Sequence, residues 1–99
     1  MVNAITPKTK LVIAQLSRGY DWRPSLMPEE FAPLAKMLHE KHPGGCLMVD
    51  NCYGEFVCEK EPSHYGADVC VGSLIKNPGG GLAPTGGYIV GTQEAIERI

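Results

Sequence analysis

Lys76 is the residue most clearly able to take part in chemistry, and it lies in the segment 72–78, GSLIKNP. This segment follows the apolar run 69–71 and precedes a glycine-rich stretch at 79–88. A lysine at the mouth of a buried strand can be desolvated, which disfavours its ammonium form and leaves a nucleophilic amine. Such amines form Schiff bases with carbonyl compounds, among them pyridoxal 5'-phosphate (PLP). The alternative that composition allows is a surface lysine in a loop.

The elements that must position Lys76 are short apolar strands around one amphipathic helix. Apolar runs predict strands at 10–15, 46–49, 68–72 and 87–90, with a turn or short helix at 53–58, a polar connection at 59–64 and a final helix from about 94. After the first strand, apolar residues recur at helical spacing and predict a helix over 28–41: Phe31, Leu34, Ala35 and Leu38. Pro33 lies inside that range, so the helix either kinks there or begins nearer Pro33 after a turn.

A strand, a crossover helix and a second apolar strand indicate an α/β fold with a partial, mostly parallel sheet. In open sheets of this kind, ligands bind at the carboxyl ends of the strands. Asp50 and Lys76 both follow such strands. PLP requires a carboxylate that holds a proton on its pyridine nitrogen and a lysine that holds its aldehyde. A structural salt bridge between Asp50 and Lys76, or no contact at all, is the alternative.

The composition favours one soluble globular domain and excludes several classes of function. The chain has 99 residues, of which 43% are hydrophobic and 20% charged. A net charge of -2 without a basic block argues against nucleic-acid binding. No apolar run approaches the roughly 20 residues of a membrane span, and the N-terminus lacks a signal-like core. We therefore expect a cytoplasmic protein with no membrane or nucleic-acid partner.

The four cysteines, Cys46, Cys52, Cys58 and Cys70, contain no C-x-x-C pair. Three histidines lie nearby, so a zinc-binding domain remains an alternative. Most of these thiols, however, fall in or beside apolar strands, where cysteine usually serves as a small core residue, whereas metal ligands usually come in close pairs on turns. We predict no metal site and no disulfide framework, and the thiols indicate a reducing compartment.

Several separated strings resemble the cystathionine and methionine gamma-lyase family of PLP enzymes. They are VDN at 49–51, GADV at 66–69 and a serine, Ser73, three places before Lys76, in the family's order. Within that family, the sequence is most similar to the methionine gamma-lyase-like branch often named for aluminium resistance. The segments that carry this similarity are SRGY at 17–20, RPSL at 23–26, DNCYGEF at 50–56, GSLIKNPGGG at 72–81 and LAPTGGYI at 82–89.

The resemblance implies a role for individual residues. Lys76 would hold PLP as a Schiff base and shuttle protons, and Asp50 would pair with the pyridinium nitrogen. Ser73 would donate its hydroxyl to the cofactor phosphate. The glycines at 79–81 would let the backbone pass close to the site.

Two departures from the family pattern bear on these roles. Ile75 stands where the better-known gamma-lyases have a threonine, so one phosphate contact is lost or made by another group. Those enzymes also carry an asparagine against the cofactor's phenolic oxygen, in the region where this chain has Arg18. Arg18 is the candidate for that contact. The alternative for Arg18 and Arg23 is a solvated loop with a salt bridge.

The resemblance further implies that residues 1–99 are a slice of the large, cofactor-binding domain of a PLP-dependent transferase (fold type I), without its N-terminal part and small domain. The parent would be a carbon-sulfur lyase that acts on a sulfur amino acid and assembles as a homotetramer. The alternative is a catalytically inactive remnant or binding module with the same partial fold. We expect the chain alone to be inactive and marginally stable, because a partial sheet leaves unpaired edges.

Overall fold

The computed structural model describes residues 2–99, and its centre is a four-stranded sheet of order β1-β2-β3-β4. The strands are β1 Leu11–Gln15, β2 Cys46–Asp50, β3 Val69–Ser73 and β4 Gly87–Gly91. β1, β2 and β3 run parallel, and β4 is antiparallel to β3. The α/β class, the mostly parallel sheet and the crossover helix are therefore confirmed.

The crossover helix, α1, runs from Ala32 to Lys41 after a single 3-10 turn at Pro28–Phe31. The helix thus begins nearer Pro33, after a turn, which is the second of the two expected arrangements. Pro33 occupies the first turn, where a missing N–H removes no intrahelical hydrogen bond. The Glu30 carboxylate accepts a hydrogen bond from the Met27 amide at 2.6 Å and closes the preceding turn.

The core lies between α1 and one face of the sheet. Alternate strand residues point toward the helix, so that Val12 and Ala14 of β1 are buried while their neighbours are exposed. Leu38 of α1 and Leu47 of β2 are completely buried. Each such side chain contributes about 1.5–3 kcal/mol through removal of apolar surface from water.

The opposite face of the sheet is open along much of its length. Leu11 and Ile13 of β1 are 47% and 58% exposed, and Ile89 of β4 is 51% exposed. The short helix α2, Gln93–Ile96, begins at Thr92, whose hydroxyl accepts a hydrogen bond from the Ala95 amide. The sheet is therefore covered by α1 on one face and presents exposed apolar side chains on the other.

Asp68 joins three elements of the fold at the start of β3. Its carboxylate accepts a hydrogen bond from the Leu47 amide of β2 at 2.7 Å and lies 2.9 Å from His39 Nε2 of α1. The aspartate of the GADV string therefore has a structural position, away from the carboxyl ends of the strands.

The cysteines serve as core or surface residues within the described range, and all four are free thiols. Cys70 is buried in β3, and burial raises the pKa of its thiol to about 11. Between residues 2 and 99, no group of three His, Cys, Asp or Glu side chains lies close enough together to hold a metal ion. The same range contains no helix long and apolar enough to cross a membrane.

Candidate active site

Four residues selected from the sequence lie at one edge of the sheet. Because β1, β2 and β3 are parallel, their carboxyl ends meet at the same edge. Asp50 ends β2, Ser73 ends β3, Lys76 lies in the turn after β3, and Arg18 lies in the loop after β1. Asp50 and Lys76 thus follow two neighbouring parallel strands, and no ion pair joins them in the described chain.

Asp50 is half-buried and is fixed by the turn that follows it. Its Oδ1 accepts a hydrogen bond from the Cys52 amide at 3.0 Å. Burial raises the pKa of the Cys52 thiol, and its hydrogen bond to Asp50 raises it further. The carboxylate is thus oriented by its own loop, and no basic side chain within residues 2–99 neutralises it.

Lys76 contacts Tyr53, a residue that the sequence analysis did not select. The Lys76 Nζ atom lies 4.7 Å from the centre of the Tyr53 ring, within the range of a cation–π contact. The hydrogen bond from Lys76 to Tyr53 raises the pKa of the lysine, and this outweighs the opposing effect of desolvation. The pKa of Lys76 is thus shifted toward the ammonium form, opposite to the direction that desolvation alone would give.

Tyr53 holds this position with an uncommon backbone, because its φ is 70°. A tyrosine in the left-handed region is strained relative to glycine, so the surrounding turn must enforce that conformation. Its place in an irregular loop explains why hydrophobic periodicity could not identify it. The one available signal was its position inside the string DNCYGEF.

We predict that Tyr53→Leu lowers the pKa of Lys76 in the cofactor-free protein, because it removes both the hydrogen bond and the aromatic face. Competitive acetylation of the Lys76 peptide across pH 8–11 measures that pKa. Tyr53→Phe keeps the ring and should move the pKa by less. An unchanged titration in Tyr53→Leu would show that the contact does not stabilise the ammonium.

Ser73 is weakly held at the end of β3. Its hydroxyl donates to the Gly86 carbonyl at 3.4 Å and accepts from the Ile75 amide at 3.3 Å. Both distances are long for a hydroxyl, whose good hydrogen bonds measure about 2.5–3.0 Å. The hydroxyl can therefore turn toward a stronger acceptor.

Arg18 is exposed in the loop after β1, as a solvated loop would have it, and neither Arg18 nor Arg23 forms a salt bridge in the described chain. The Arg18 guanidinium lies 5.7 Å from the centre of the Trp22 ring. Arg23 donates to three backbone carbonyls, Gln15 at 3.2 Å, Ser17 at 2.6 Å and Pro24 at 3.0 Å. Arg23 thus shapes the loop that holds Arg18 near the edge.

The glycines after Lys76 meet different structural requirements. A Cβ at Gly79 would overlap the Leu74 carbonyl, so this glycine lets the turn close on itself. Gly80 and Gly81 have φ of 55° and 78° and no neighbouring atom within 4 Å of a Cβ position. Open space therefore borders the Lys76 turn at Gly80 and Gly81, while Gly79 serves the turn itself.

The fold is aminotransferase-like. The chain superposes with a TM-score of 0.75 on the cystathionine gamma-lyase of Lactobacillus plantarum, at 24% identity, over 97% of this chain and 23% of that one. Residues 1–99 match the family model for methionine gamma-lyase, so the chain belongs to that family.

Two relatives of higher identity are several times longer than this chain, which matches only part of each. The uncharacterized protein YnbB of Bacillus subtilis is 54% identical over 94 residues, which is 95% of this chain and 22% of YnbB. The structure of a carbon-sulfur lyase involved in aluminium resistance from Clostridium novyi is 46% identical with a TM-score of 0.80, covering 90% of this chain and 21% of that one. The chain thus spans about a fifth of the length of these relatives.

Proposed function

We propose that the chain is part of the cofactor-binding large domain of a PLP-dependent carbon-sulfur lyase that acts on a sulfur amino acid. The observation that carries the proposal is the placement of a carboxylate, Asp50, and an amine, Lys76, neither in a salt bridge within the described residues, at one edge of an aminotransferase-like sheet. Membership of the methionine gamma-lyase family, whose enzymes are generally PLP-dependent, gives the reaction class.

The residues at this edge fit PLP chemically. The pyridine nitrogen and the aldehyde carbon lie at opposite ends of the cofactor ring, so its two partners must be separate groups. Asp50 and Lys76 meet this condition, since neither is bound to the other. A salt bridge between them would have occupied both. The weakly bound Ser73 hydroxyl and the open space beside Gly80 and Gly81 suit an anionic phosphate.

Each side chain then has a separate task. Bound PLP would supply an electron sink that stabilises negative charge on the substrate carbon. Lys76 would anchor the aldehyde carbon and then carry a proton from one substrate carbon to another at its Nζ atom. Asp50 would keep the ring nitrogen protonated. Ser73 would donate to the phosphate, and Arg18 would contact the phenolic oxygen.

We further propose that the remaining parts of the active site lie outside these residues. Coverage of about a fifth of the relatives and the open apolar sheet face both support a larger domain. The rest of the large domain would cover that face, and a small domain would bind the substrate carboxylate. We expect the parent to be a homotetramer, and we expect the isolated chain to be inactive.

The test is an assay of the full-length protein that contains this chain, supplied with PLP and with methionine, cystathionine or cysteine in turn. Elimination followed by hydrolysis with water releases a thiol (hydrogen sulfide in the case of cysteine), a keto acid and ammonia, and each can be measured. A protein that forms none of the three from any sulfur amino acid would contradict the proposal and favour the inactive alternative. The isolated 99-residue chain serves as the matched inactive control.

A further inference from the structure

A polar cluster with a buried centre lies beside the Lys76 turn, where Asn51 and Glu55 are buried, Tyr88 is half-buried and Asn77 is exposed. It consists of Asn51, Glu55, Asn77 and Tyr88, and we call it the Glu55 cluster. Asn51 and Glu55 are only 3% and 4% exposed, and they are the two buried polar residues of the described core. Burying a carboxyl group is costly unless it is hydrogen-bonded, so Glu55 requires an explanation.

The contacts of Glu55 reach the Lys76 loop itself and the strand to which the chain returns after it. Its backbone carbonyl accepts a hydrogen bond from Asn77 Nδ2 at 2.9 Å, directly after Lys76 in the chain. Its Oε1 accepts a hydrogen bond from the Tyr88 hydroxyl of β4 at 2.9 Å, where the glycine-rich segment returns to the sheet. Both anchors of the Lys76 loop therefore converge on a single residue.

Glu55 also belongs to the loop that follows Asp50. Four residues separate it from that carboxylate, and Tyr53, which contacts Lys76, lies between them. Glu55 thus connects the loop of the acid with the loop of the lysine.

Gly72 of β3 provides the space for this cluster. Gly72 is the register partner of Tyr88, and a Cβ at Gly72 would lie 2.5 Å from both Glu55 Oε1 and the Tyr88 hydroxyl. Its φ is not in the left-handed region, so glycine is needed here for space rather than for backbone freedom. The first residue of the string GSLIKNPGGG therefore accommodates Glu55.

We propose that Glu55 is a positioning residue that holds the Lys76 loop against the Asp50 loop and so fixes the distance between the two groups that would hold the cofactor. The proposal rests on the function proposed above. It predicts that the Glu55 side chain acts through its hydrogen bond and not through its charge, because the partner of its carboxylate is the phenol of Tyr88, while Asn77 bonds to the Glu55 backbone carbonyl.

The first measurement is hydrogen exchange in the cofactor-free full-length protein, compared between the Lys76 loop, 74–82, and α1, 32–41. We expect Glu55→Leu and Gly72→Ala to accelerate exchange in the loop by about tenfold, the size expected for loss of the hydrogen bond between Tyr88 and the Glu55 carboxylate, with α1 unchanged. The bond from Asn77 goes to the Glu55 backbone carbonyl and does not depend on the Glu55 side chain. Glu55→Gln keeps the acceptor for Tyr88 and should remain near the unsubstituted protein. Gly44→Ala, which meets no atom within 4 Å, is the matched glycine control.

The second measurement is steady-state kinetics of the same variants with PLP. Misplacement of the lysine should lower kcat by about 10- to 100-fold while KM changes by less than twofold, and Glu55→Gln should restore most of the loss. If Glu55→Leu is too unstable to purify, Tyr88→Phe removes only the hydrogen bond from Tyr88 to Glu55. It should lower kcat in the same way, by a smaller factor, with KM again nearly unchanged.

Two results would overturn the proposal. One is loop exchange that stays unchanged in both Glu55→Leu and Tyr88→Phe. The other is exchange that rises equally in the loop and in α1, which indicates a general loss of stability. If the unsubstituted protein has no lyase activity, the proposed function fails, but the exchange measurement still decides whether Glu55 holds the loop.

Discussion

Lys76→Ala in the full-length protein is expected to abolish both covalent attachment of PLP and turnover of sulfur amino acids. The amine is the group at this edge that can bond to the aldehyde, and its role as proton carrier is lost with it. Loss of general acid–base catalysis alone accounts for about 10²- to 10⁴-fold in rate. The absorbance band of the protonated imine should disappear together with activity.

The substitution should leave the fold intact, because the Nζ atom of Lys76 contacts the Tyr53 ring and makes no ion pair in the described chain. Lys36→Ala is the matched control, since Lys36 lies on the outer face of α1 with its side chain 76% exposed. That variant should retain full activity and an unchanged spectrum. An imine band that survives in Lys76→Ala would show that another lysine holds the cofactor.

Asp50→Asn is expected to produce the second-largest loss, with kcat lower by about 10²- to 10³-fold, as for other preorganised electrostatic partners of a reacting group. Asparagine keeps an oxygen that can accept from the Cys52 amide, so the turn after β2 is preserved. It removes the negative charge that would keep the pyridine nitrogen protonated. The cofactor should therefore still attach to Lys76 but be a poorer electron sink.

Spectroscopy and kinetics separate this effect from a general loss of cofactor. At saturating PLP, the amount of covalent cofactor in Asp50→Asn should equal that of the unsubstituted protein, while kcat falls. Asp21→Asn, in the exposed loop after β1, is the matched control and should leave kcat unchanged. Equal kcat in Asp50→Asn and the unsubstituted protein would show that Asp50 has no role at the ring nitrogen.

The fold could be predicted to a large extent because its signals are local. Apolar runs identified all four strands, and the spacing of Ala35 and Leu38 identified the face of α1 that packs on the sheet, with Phe31 of the preceding turn in the same core. The apolar spacing placed the start of the helix at residue 28, but residues 28–31 form a 3-10 turn and α1 begins at Ala32. Pro33 favours a start at this point, because a proline fits the first turn of an α-helix but not its interior. Asp50 and Lys76 could be placed at one edge because parallel strands align their carboxyl ends.

The supporting residues of the site could not be predicted, because they depend on contacts between irregular loops. Tyr53 and Glu55 lie in a turn without periodicity, and Tyr88 reaches Glu55 across 33 residues of sequence. The raised pKa of Lys76 was missed for the same reason: its cause is a neighbour from another loop, whereas the sequence suggested only burial. Loop-to-loop contacts carry no signal in a single sequence.

The central claim, that Lys76 anchors PLP, is tested most directly by reduction of the bound cofactor. The full-length protein is incubated with PLP, treated with sodium borohydride to make the carbon–nitrogen bond permanent, digested and analysed by mass spectrometry. We predict a phosphopyridoxyl group on the peptide that contains Lys76, and none on the peptides that contain the other lysines of this segment, Lys8, Lys10, Lys36, Lys41 and Lys60. A modification on any other lysine, with the Lys76 peptide unmodified, would contradict the account.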